Sequence, residues 1–253
     1  MSMNAARMAV SRDVEVFYRF SRRTCGLFAG GSTLFLLGGR PPEPEWASEL
    51  ALRNSARVWA VDSGASACRA AGLVPSVLVG DRDSAPPGDW EWAASAGAKE
   101  NIYDRNKDKT DFQLAMSLFK GEIERDDRFR PPALIVSGCF GGAFDHQTST
   151  FYTLASSGGD FFRCMIDETE GVVFVYPGDW AALEFSGLPK AVSLLPATDL
   201  CRGVSVSGVK WPLVRATLER AFPWAVSNEA NDPGEPVAAA CEEGILALYW
   251  RFY

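Results

Sequence analysis

The sequence predicts an α/β protein in which a Rossmann-like, mostly parallel sheet domain is followed by a small all-β sandwich domain. Up to about Glu168, short apolar runs alternate with helical patterns, as in parallel strands joined by helices. Beyond that point, short apolar stretches are separated by Gly, Pro and Asp turns. We therefore predict an α/β catalytic domain at 1–168 and a β-sandwich domain at 169–253.

Composition excludes several classes of protein. The formal charge of −7 and the isoelectric point near 4.9 argue against a nucleic-acid partner. The apolar run Gly26–Gly39 is too short and too rich in glycine to cross a bilayer, so no membrane partner is expected. The six cysteines include no C-x-x-C pair. Reduced thiols in a cytoplasmic protein therefore fit better than a zinc site or a disulfide scaffold.

The elements of the first domain follow from the hydrophobic pattern. Residues 14–20 fit either a short helix or a surface strand, and the loop at 84–97 is rich in Pro, Gly and Trp. The predicted strands are 33–37, 57–61, 77–79, 101–103, 133–136 and 161–166. Four helices are predicted: one at about 46–54, one that ends at 71, one that begins at 111 and one that ends at about 156. In the second domain, the predicted strands are 172–176, 181–185, 191–195, 204–207 and 245–252.

Two carboxylates follow the central strand. Gly80 ends the apolar run at 77–79, and Asp81 and Asp83 come next, at the strand edge where ligands bind in such sheets. Two carboxylates about 4 Å apart repel by roughly 4 kcal/mol at an effective dielectric constant near 20. A divalent cation carrying phosphates offsets that repulsion. The alternative is a solvated turn, for which Asp and Ser are ordinary residues.

A second polar segment precedes the helix that begins at Asp111. Charges of both signs alternate over Asp104–Asp111, and Thr110 with Gln113 forms a capping box. The helix start favours anions near its first turn. A charge run of this kind is often only a solvated face, but its place before a helix favours a phosphate–metal site.

Glycines and a single histidine complete the candidate residues. Gly38 and Gly39 follow the first core strand, where backbone amides can meet phosphate, although a plain turn is the commoner explanation. His146 is the only histidine. A Ser-His-Asp or Cys-His catalytic set that needs a second histidine besides His146 is therefore excluded.

Six motifs in order resemble those of the thiamine pyrophosphokinases. They are Asp62–Ala65, Gly80–Ser84, Asp108–Asp111, Gly141–His146, Gly208–Leu213 and Val226–Glu229. Together with the glycine pair Gly38 and Gly39, these motifs run from Gly38 to Glu229 and so span most of the chain. It implies an α/β catalytic domain and a β-sandwich, assembled as a homodimer. It also implies transfer of the diphosphoryl group of MgATP to the hydroxyl of thiamine, releasing AMP.

The resemblance also implies roles for individual residues. Asp81, Asp83 and Asp111 would hold Mg²⁺ and, with Asp145, would be catalytic. The ATP-binding set would be Gly38, Gly39, Asp62, Ser63, Gly64, Arg82, Lys109 and Thr110, and the substrate-binding set Lys107, Trp211, Ser227 and Asn228. Trp211 would lie against the thiamine rings, which carry a cationic thiazolium. The thiamine pocket would lie between the catalytic domain of one subunit and the β domain of the other.

The sequence departs from the family pattern at one charged position. Ala143 stands where the family usually carries arginine, so a cation expected near the phosphates is missing, and Arg82 is a candidate replacement. Two alternatives therefore stay open beside an active thiamine diphosphokinase. One is a MgATP-dependent diphosphotransferase with another acceptor alcohol, and the other is a non-catalytic nucleotide- or thiamine-binding homologue.

Overall fold

The computed structural model describes residues 5–20, 31–82, 85–125, 133–158 and 161–253. Asp83, a predicted metal ligand, lies outside these ranges. The described residues of 30–161 and 165–168 form an α/β unit, and those of 1–29, 162–164 and 169–253 form a β unit.

The described elements are numbered in chain order. The strands are β1 (Ala6–Ala9), β2 (Val14–Arg19), β3 (Ser32–Leu36), β4 (Arg57–Val61), β5 (Val77–Gly80), β6 (Lys99–Ile102), β7 (Ala133–Ser137), β8 (Phe162–Ile166), β9 (Glu170–Val175), β10 (Trp180–Phe185), β11 (Ala191–Pro196), β12 (Leu200–Ser207), β13 (Leu213–Glu219), β14 (Val237–Ala240) and β15 (Leu246–Arg251). The helices are α1 (Pro44–Arg53), α2 (Gly64–Ala70), α3 (Pro87–Ser95), α4 (Asp111–Arg125) and α5 (Phe144–Ser156).

The α/β unit is built on parallel strands in the order β7-β3-β4-β5-β6. Every residue of β5 and β7 is buried, as expected for central strands covered by helices on both faces. In register, Leu36 pairs with Ala60 on one side and Ser137 on the other. The carboxyl ends of neighbouring strands therefore lie together along one edge.

The aromatic core of this unit joins the sheet to α4. Phe35 stacks on Trp59 with ring centroids 4.9 Å apart, and Phe119 of α4 meets Phe35 edge-on at 5.7 Å. Phe112, Ala115 and Phe119 are buried at helical spacing, which confirms the predicted helix and its apolar face.

The β unit contains two layers of antiparallel strands. One has the order β1-β2-β10-β14-β12-β13, and the other pairs β15 with both β11 and β9. Phe185 of β10 and Trp250 of β15 meet with ring centroids 6.4 Å apart. The two layers thus pack as a sandwich, as predicted.

The N-terminal strands belong to this β unit. β2 pairs with β10 from Val14↔Phe185 to Arg19↔Trp180, and alternate β2 residues are buried. The hydroxyl of Tyr18 donates a hydrogen bond to Asp179 at 2.7 Å. The predicted α/β domain at 1–168 differs from the structure here, because β2 pairs with a strand about 160 residues away, which local pattern does not reveal.

A helix occupies most of the predicted loop at 84–97. α3 begins at Pro87, a residue that is tolerated in the first helical turn because its missing N–H has no partner there. Trp90 and Ala93 are buried one turn apart. The loop prediction was wrong because Pro and Gly are accommodated in the first turn of this helix.

Two further findings concern surfaces and thiols. Across the described ranges, no helix is long and apolar enough to cross a membrane. The described cysteines, Cys68, Cys139, Cys164, Cys201 and Cys241, are buried and form no disulfide within the described residues.

Candidate active site

A cavity of about 730 Å³ opens at the carboxyl edge of the parallel sheet. Its lining comes from the segments that follow the strands and from the first turns of α4 and α5, all within the α/β unit. The charged lining residues are Asp62, Asp81, Arg105, Lys107, Asp108, Lys109 and Asp111. Ligands of doubly wound sheets bind at this edge, so the cavity lies where a ligand is expected.

Glycines bring the loops after β3 and β7 together beneath the cavity. The Gly39 N–H donates to the Gly138 carbonyl at 2.7 Å. Gly138 has φ +67°, and a Cβ there would come within 2.5 Å of the Leu37 carbonyl oxygen. Only glycine fits this position, and the close approach leaves backbone as part of the cavity wall.

The segment after β4 is held in an unusual backbone conformation. Asp62 has φ +57°, in the left-handed region that non-glycine residues seldom adopt. Its N–H donates to the Val79 carbonyl at 2.8 Å. Conformations of this kind cluster at ligand sites, where surrounding structure maintains them.

The central feature of the cavity is a lysine between two carboxylates. Lys107 Nζ lies 3.6 Å from an Asp81 oxygen and 3.1 Å from an Asp111 oxygen. The three side chains are only 13–17% exposed. The loop before α4 thus places a cation between an acid that follows β5 and an acid that begins α4.

This arrangement changes the pKa of the lysine. Burial alone lowers the pKa of Lys107, but the hydrogen bond and charge of Asp111, followed by those of Asp81, outweigh it and raise the pKa. Lys107 is therefore an ammonium ion at neutral pH.

Two helix N-termini face the cavity. Thr110 accepts a hydrogen bond from the Gln113 N–H at 3.2 Å, and the Gln113 side chain accepts one from the Thr110 N–H at 3.1 Å. The predicted capping box is confirmed. At α5, Ala143, His146 and Gln147 line the wall. Both helix ends direct partial positive charge at the same volume.

A second, apolar pocket of about 250 Å³ lies within the β unit. Trp211 and Trp224 line it, and they are 53% and 49% exposed. The remaining lining residues are Val192, Leu194, Val206, Val209, Leu213, Ala225, Val226 and Asn228. Two tryptophans on an apolar floor suit a flat aromatic ligand.

Asn228 fixes the backbone of Trp211. Its side-chain oxygen accepts from the Trp211 N–H at 3.1 Å, and its side-chain nitrogen donates to the Trp211 carbonyl at 2.8 Å. Its own backbone bonds in both directions to Val192 of β11 at 2.8 Å. The tryptophan is therefore anchored to the sheet through one asparagine.

Comparison with known proteins identifies the family. Residues 49–166 match the family described as "Thiamin pyrophosphokinase, catalytic domain", and residues 184–246 match "Thiamin pyrophosphokinase, vitamin B1 binding domain". Together the two matches cover well over half of the chain. It belongs to the thiamine pyrophosphokinase family.

Individual relatives agree in fold at low sequence identity. The thiamine pyrophosphokinase of Bacillus subtilis (strain 168) is 22% identical over 169 residues, covering 67% of this chain and 76% of the relative. A crystal structure from Bacillus subtilis has a TM-score of 0.73 at 19% identity, covering 88% of this chain and 99% of that one. The yeast enzyme has a TM-score of 0.67 at 16% identity, covering 88% and 86%.

The cavity of this family member brings together many of the residues expected to bind ATP or metal. The predicted residues that line it are Gly38, Gly39, Asp62, Ser63, Asp81, Lys107, Lys109, Thr110 and Asp111. In the second pocket, Trp211 and Asn228 are lining residues. Ser227 is exposed beside them, with φ +57° and its N–H donating to the Ser193 hydroxyl at 3.0 Å.

Three other predicted residues lie outside the cavity lining. Arg82 forms an ion pair with Glu100 on the surface. Asp145 is exposed in the first turn of α5, where its carboxylate accepts from the His146 N–H at 2.9 Å. Gly64 is buried, and a Cβ there would lie 1.9 Å from the Leu36 carbonyl oxygen. The glycine thus allows close packing of α2 against β3.

Sequence reasoning missed several lining residues of this thiamine pyrophosphokinase homologue. Arg105 and Gln147 line the polar cavity, and Trp224 lines the apolar pocket. Arg105 lies in the same alternating charge run as Lys107 and Lys109, so the run itself was the available signal for it. The available signal for Trp224 was its position three residues before Ser227.

Proposed function

We propose that this protein transfers the diphosphoryl group of MgATP to the hydroxyl of thiamine, producing thiamine diphosphate and AMP. The observation that carries the proposal is the Asp81–Lys107–Asp111 cluster in a cavity faced by two helix N-termini. Family membership supports the same reaction class. In the reaction, the thiamine oxygen attacks the β-phosphorus, the bond from that phosphorus to the α-phosphate oxygen breaks, and AMP leaves.

The polar cavity would bind the triphosphate. The N-terminal turns of α4 and α5 direct backbone N–H groups toward it, and Lys109 and Arg105 line the same wall. Phosphoryl-type transfer depends on positioning and charge stabilisation more than on covalent chemistry. The hydroxyl proton of the acceptor would pass to a carboxylate lining the cavity.

The donor set of the cavity suits Mg²⁺. Asp81 and Asp111 already hold one cation, the Lys107 ammonium, between their oxygens. Among the described residues no three acidic, histidine or cysteine side chains converge as a closed metal cage. Mg²⁺ commonly uses one or two carboxylates with waters and substrate phosphates. Asp81 and Asp111 would therefore hold it, and when bound it neutralises charge on the phosphate oxygens.

The apolar pocket of the β unit would bind the acceptor. Trp211 and Trp224 offer aromatic faces at its mouth, and thiamine carries a cationic thiazolium ring. Stacking of a cation on tryptophan contributes about 0.5–2 kcal/mol. Asn228 would act mainly by fixing Trp211, because both ends of its amide bond the Trp211 backbone.

We further propose a cytoplasmic homodimer. The carboxylates and the tryptophans lie in different units of the chain. A symmetric dimer allows the acceptor pocket of one subunit to complete the phosphate site of the other.

An AMP assay with and without thiamine tests the proposal. Thiamine-dependent AMP release supports it. AMP release with another alcohol but not with thiamine would point to a different acceptor. Thiamine binding without AMP release would favour a non-catalytic homologue.

A further inference from the structure

The Lys107 ammonium lies between the carboxylates of Asp81 and Asp111. Its ammonium nitrogen is within 4 Å of both carboxylates, and none of the three side chains is more than 17% exposed. The lysine comes from the loop before α4, whereas the two acids lie after β5 and at the first residue of α4. Two segments thus meet at one cationic centre: the residue after β5 and the stretch from Lys107 to the start of α4.

An ammonium and a divalent cation cannot share these oxygens without strong repulsion. Without a cation, however, two nearly buried carboxylates would repel each other and lose solvation. The Lys107 ammonium offsets that repulsion before nucleotide arrives, and it has to move when a metal ion enters.

We propose that Lys107 is an exchangeable counter-ion, which holds Asp81 and Asp111 together in the nucleotide-free enzyme and gives way to the divalent cation. This inference rests on the proposed MgATP site. The displaced ammonium then contacts phosphate oxygens of the nucleoside triphosphate. The lysine is thus a positioning residue in the free enzyme and a substrate ligand in the complex.

The local structure permits this exchange without disturbing the helix. The reciprocal hydrogen bonds of Thr110 and Gln113 hold the start of α4 in place, so Asp111 remains fixed when the lysine moves. Lys107 precedes the helix, and its four-carbon side chain has several rotatable bonds. Only side-chain rotation is needed to move the ammonium by a few ångströms.

The exchange predicts effects of opposite sign on two ligands. Lys107→Met removes the competing charge, so the nucleotide-free variant should bind Mn²⁺ alone at least fivefold more tightly than the natural protein. The same variant should bind the Mg²⁺ complex of an ATP analogue with a methylene between the α- and β-phosphorus at least fivefold more weakly. A lysine that only stabilises the fold would weaken both.

Matched variants make the comparison specific. Lys107→Arg keeps the charge and should leave Mn²⁺ binding as weak as in the natural protein. Lys99→Met removes an exposed lysine at the opposite end of β6, and should change neither affinity. Free Mn²⁺ is measured by electron paramagnetic resonance and the analogue by calorimetry. Lys107→Gln serves as a second neutral variant if Lys107→Met does not fold.

Mn²⁺ affinity that is unchanged or weaker in both neutral variants would overturn the proposal. The proposal would also be overturned if neither the natural protein nor the neutral variants bind Mn²⁺ at millimolar concentration. These measurements involve no thiamine. The two proposals can therefore fail separately. If the natural protein releases no AMP with thiamine, but the neutral variants still bind Mn²⁺ more tightly than it does, the proposed reaction is contradicted and the counter-ion role is not.

Discussion

Arg82 is paired with Glu100, not with the cavity. Their side chains form an ion pair, and the Arg82 guanidinium lies 5.8 Å from the centre of the Trp90 ring. Trp90 donates a second hydrogen bond to the same carboxylate at 2.7 Å. The hydrogen bonds from Trp90 and then Arg82 lower the pKa of Glu100. The Arg82 side chain is thus engaged outside the cavity lining, whereas Arg105 lines the cavity.

Ala143→Arg should raise turnover several-fold. Ala143 lines the cavity at the start of α5. A charge-assisted hydrogen bond contributes roughly 1.5–3 kcal/mol, which sets an upper limit of about ten- to a hundredfold in rate when no other cation compensates. Arg105→Ala should harm the natural protein more than it harms the Ala143→Arg variant. Arg202→Ala, which removes a surface arginine paired with Glu243, is the control. Equal losses from Arg105→Ala in both backgrounds would exclude Arg105 as the compensating charge.

Asn228→Ala should weaken thiamine binding without affecting ATP. The substitution removes two hydrogen bonds to the Trp211 backbone, each contributing about 1 kcal/mol. We expect the KM for thiamine to rise about tenfold, with the KM for ATP unchanged. Asn228→Asp keeps the acceptor oxygen and loses the donor, so its effect should be intermediate. An unchanged KM for thiamine in Asn228→Ala would contradict the anchoring role.

Trp224→Ala tests the second aromatic wall. Losing one tryptophan face should raise the KM for thiamine about two- to thirtyfold, because a cation–aromatic contact contributes about 0.5–2 kcal/mol. Trp224→Phe should recover most of the affinity. Leu188→Ala, an exposed apolar residue in the same unit, controls for surface truncation. If Trp224→Ala binds thiamine normally, Trp211 alone forms the aromatic contact.

Tyr18 predicts how the stability of the β unit depends on pH. Burial first, and then the charge and hydrogen bond of Asp179, raise the pKa of Tyr18 well above its ordinary value of 10.0. Below pH 10 the hydroxyl is protonated in both states, so its contribution is complete. Above pH 10 the unfolded chain loses the proton while the native protein keeps it, and stability falls as the pH rises toward the native pKa.

Denaturant unfolding between pH 8 and about 11 checks this expectation. Tyr18→Phe should cost about 1–3 kcal/mol at pH 8, because the buried Asp179 loses a donor, and it should show a shallower decline above pH 10. Tyr253→Phe, at an exposed position, should behave as the natural protein does. Parallel declines for Tyr18→Phe and the natural protein would contradict the assigned pKa.

Variant mixing tests the proposed dimer. Asp111→Asn damages the phosphate side and Trp211→Ala the acceptor side, so each variant alone should have low activity. If the two sides come from different subunits, half of the dimers in an equilibrated mixture are mixed dimers, and each mixed dimer has one intact site out of two. The mixture should therefore regain about a quarter of the natural activity. No recovery in mixed dimers, or a fully active monomer in sedimentation, would refute the shared site.

Local sequence signals predicted the cavity well where short-range physics determines structure. Continuous apolar runs identified the buried β3, β4 and β7, and the Thr110–Gln113 capping box located the start of α4. Strand-end polar residues in parallel strands meet by geometry alone. The family resemblance groups Asp62, Asp81 and Asp111, and all three line the cavity.

Long-range pairing and side-chain direction could not be predicted in this way. The partner of β2 is β10, and no local pattern specifies so distant a strand. Arg82 directly follows the cavity residue Asp81, but its side chain pairs with Glu100 outside the cavity lining. Its backbone φ is +70°, and the sequence alone does not predict this conformation. Asn228 bonds Trp211, in the segment between β12 and β13, through its side chain, an arrangement that depends on the folded chain.

The most direct test of the account is product formation from MgATP and thiamine. The natural protein should release AMP and thiamine diphosphate in equal amounts, with no AMP when thiamine is omitted. The Asp81→Asn, Asp111→Asn double variant should keep the fold and lose at least tenfold in turnover, about 1.4 kcal/mol or more of barrier. AMP release that does not depend on thiamine, or natural turnover in the double variant, would contradict the account.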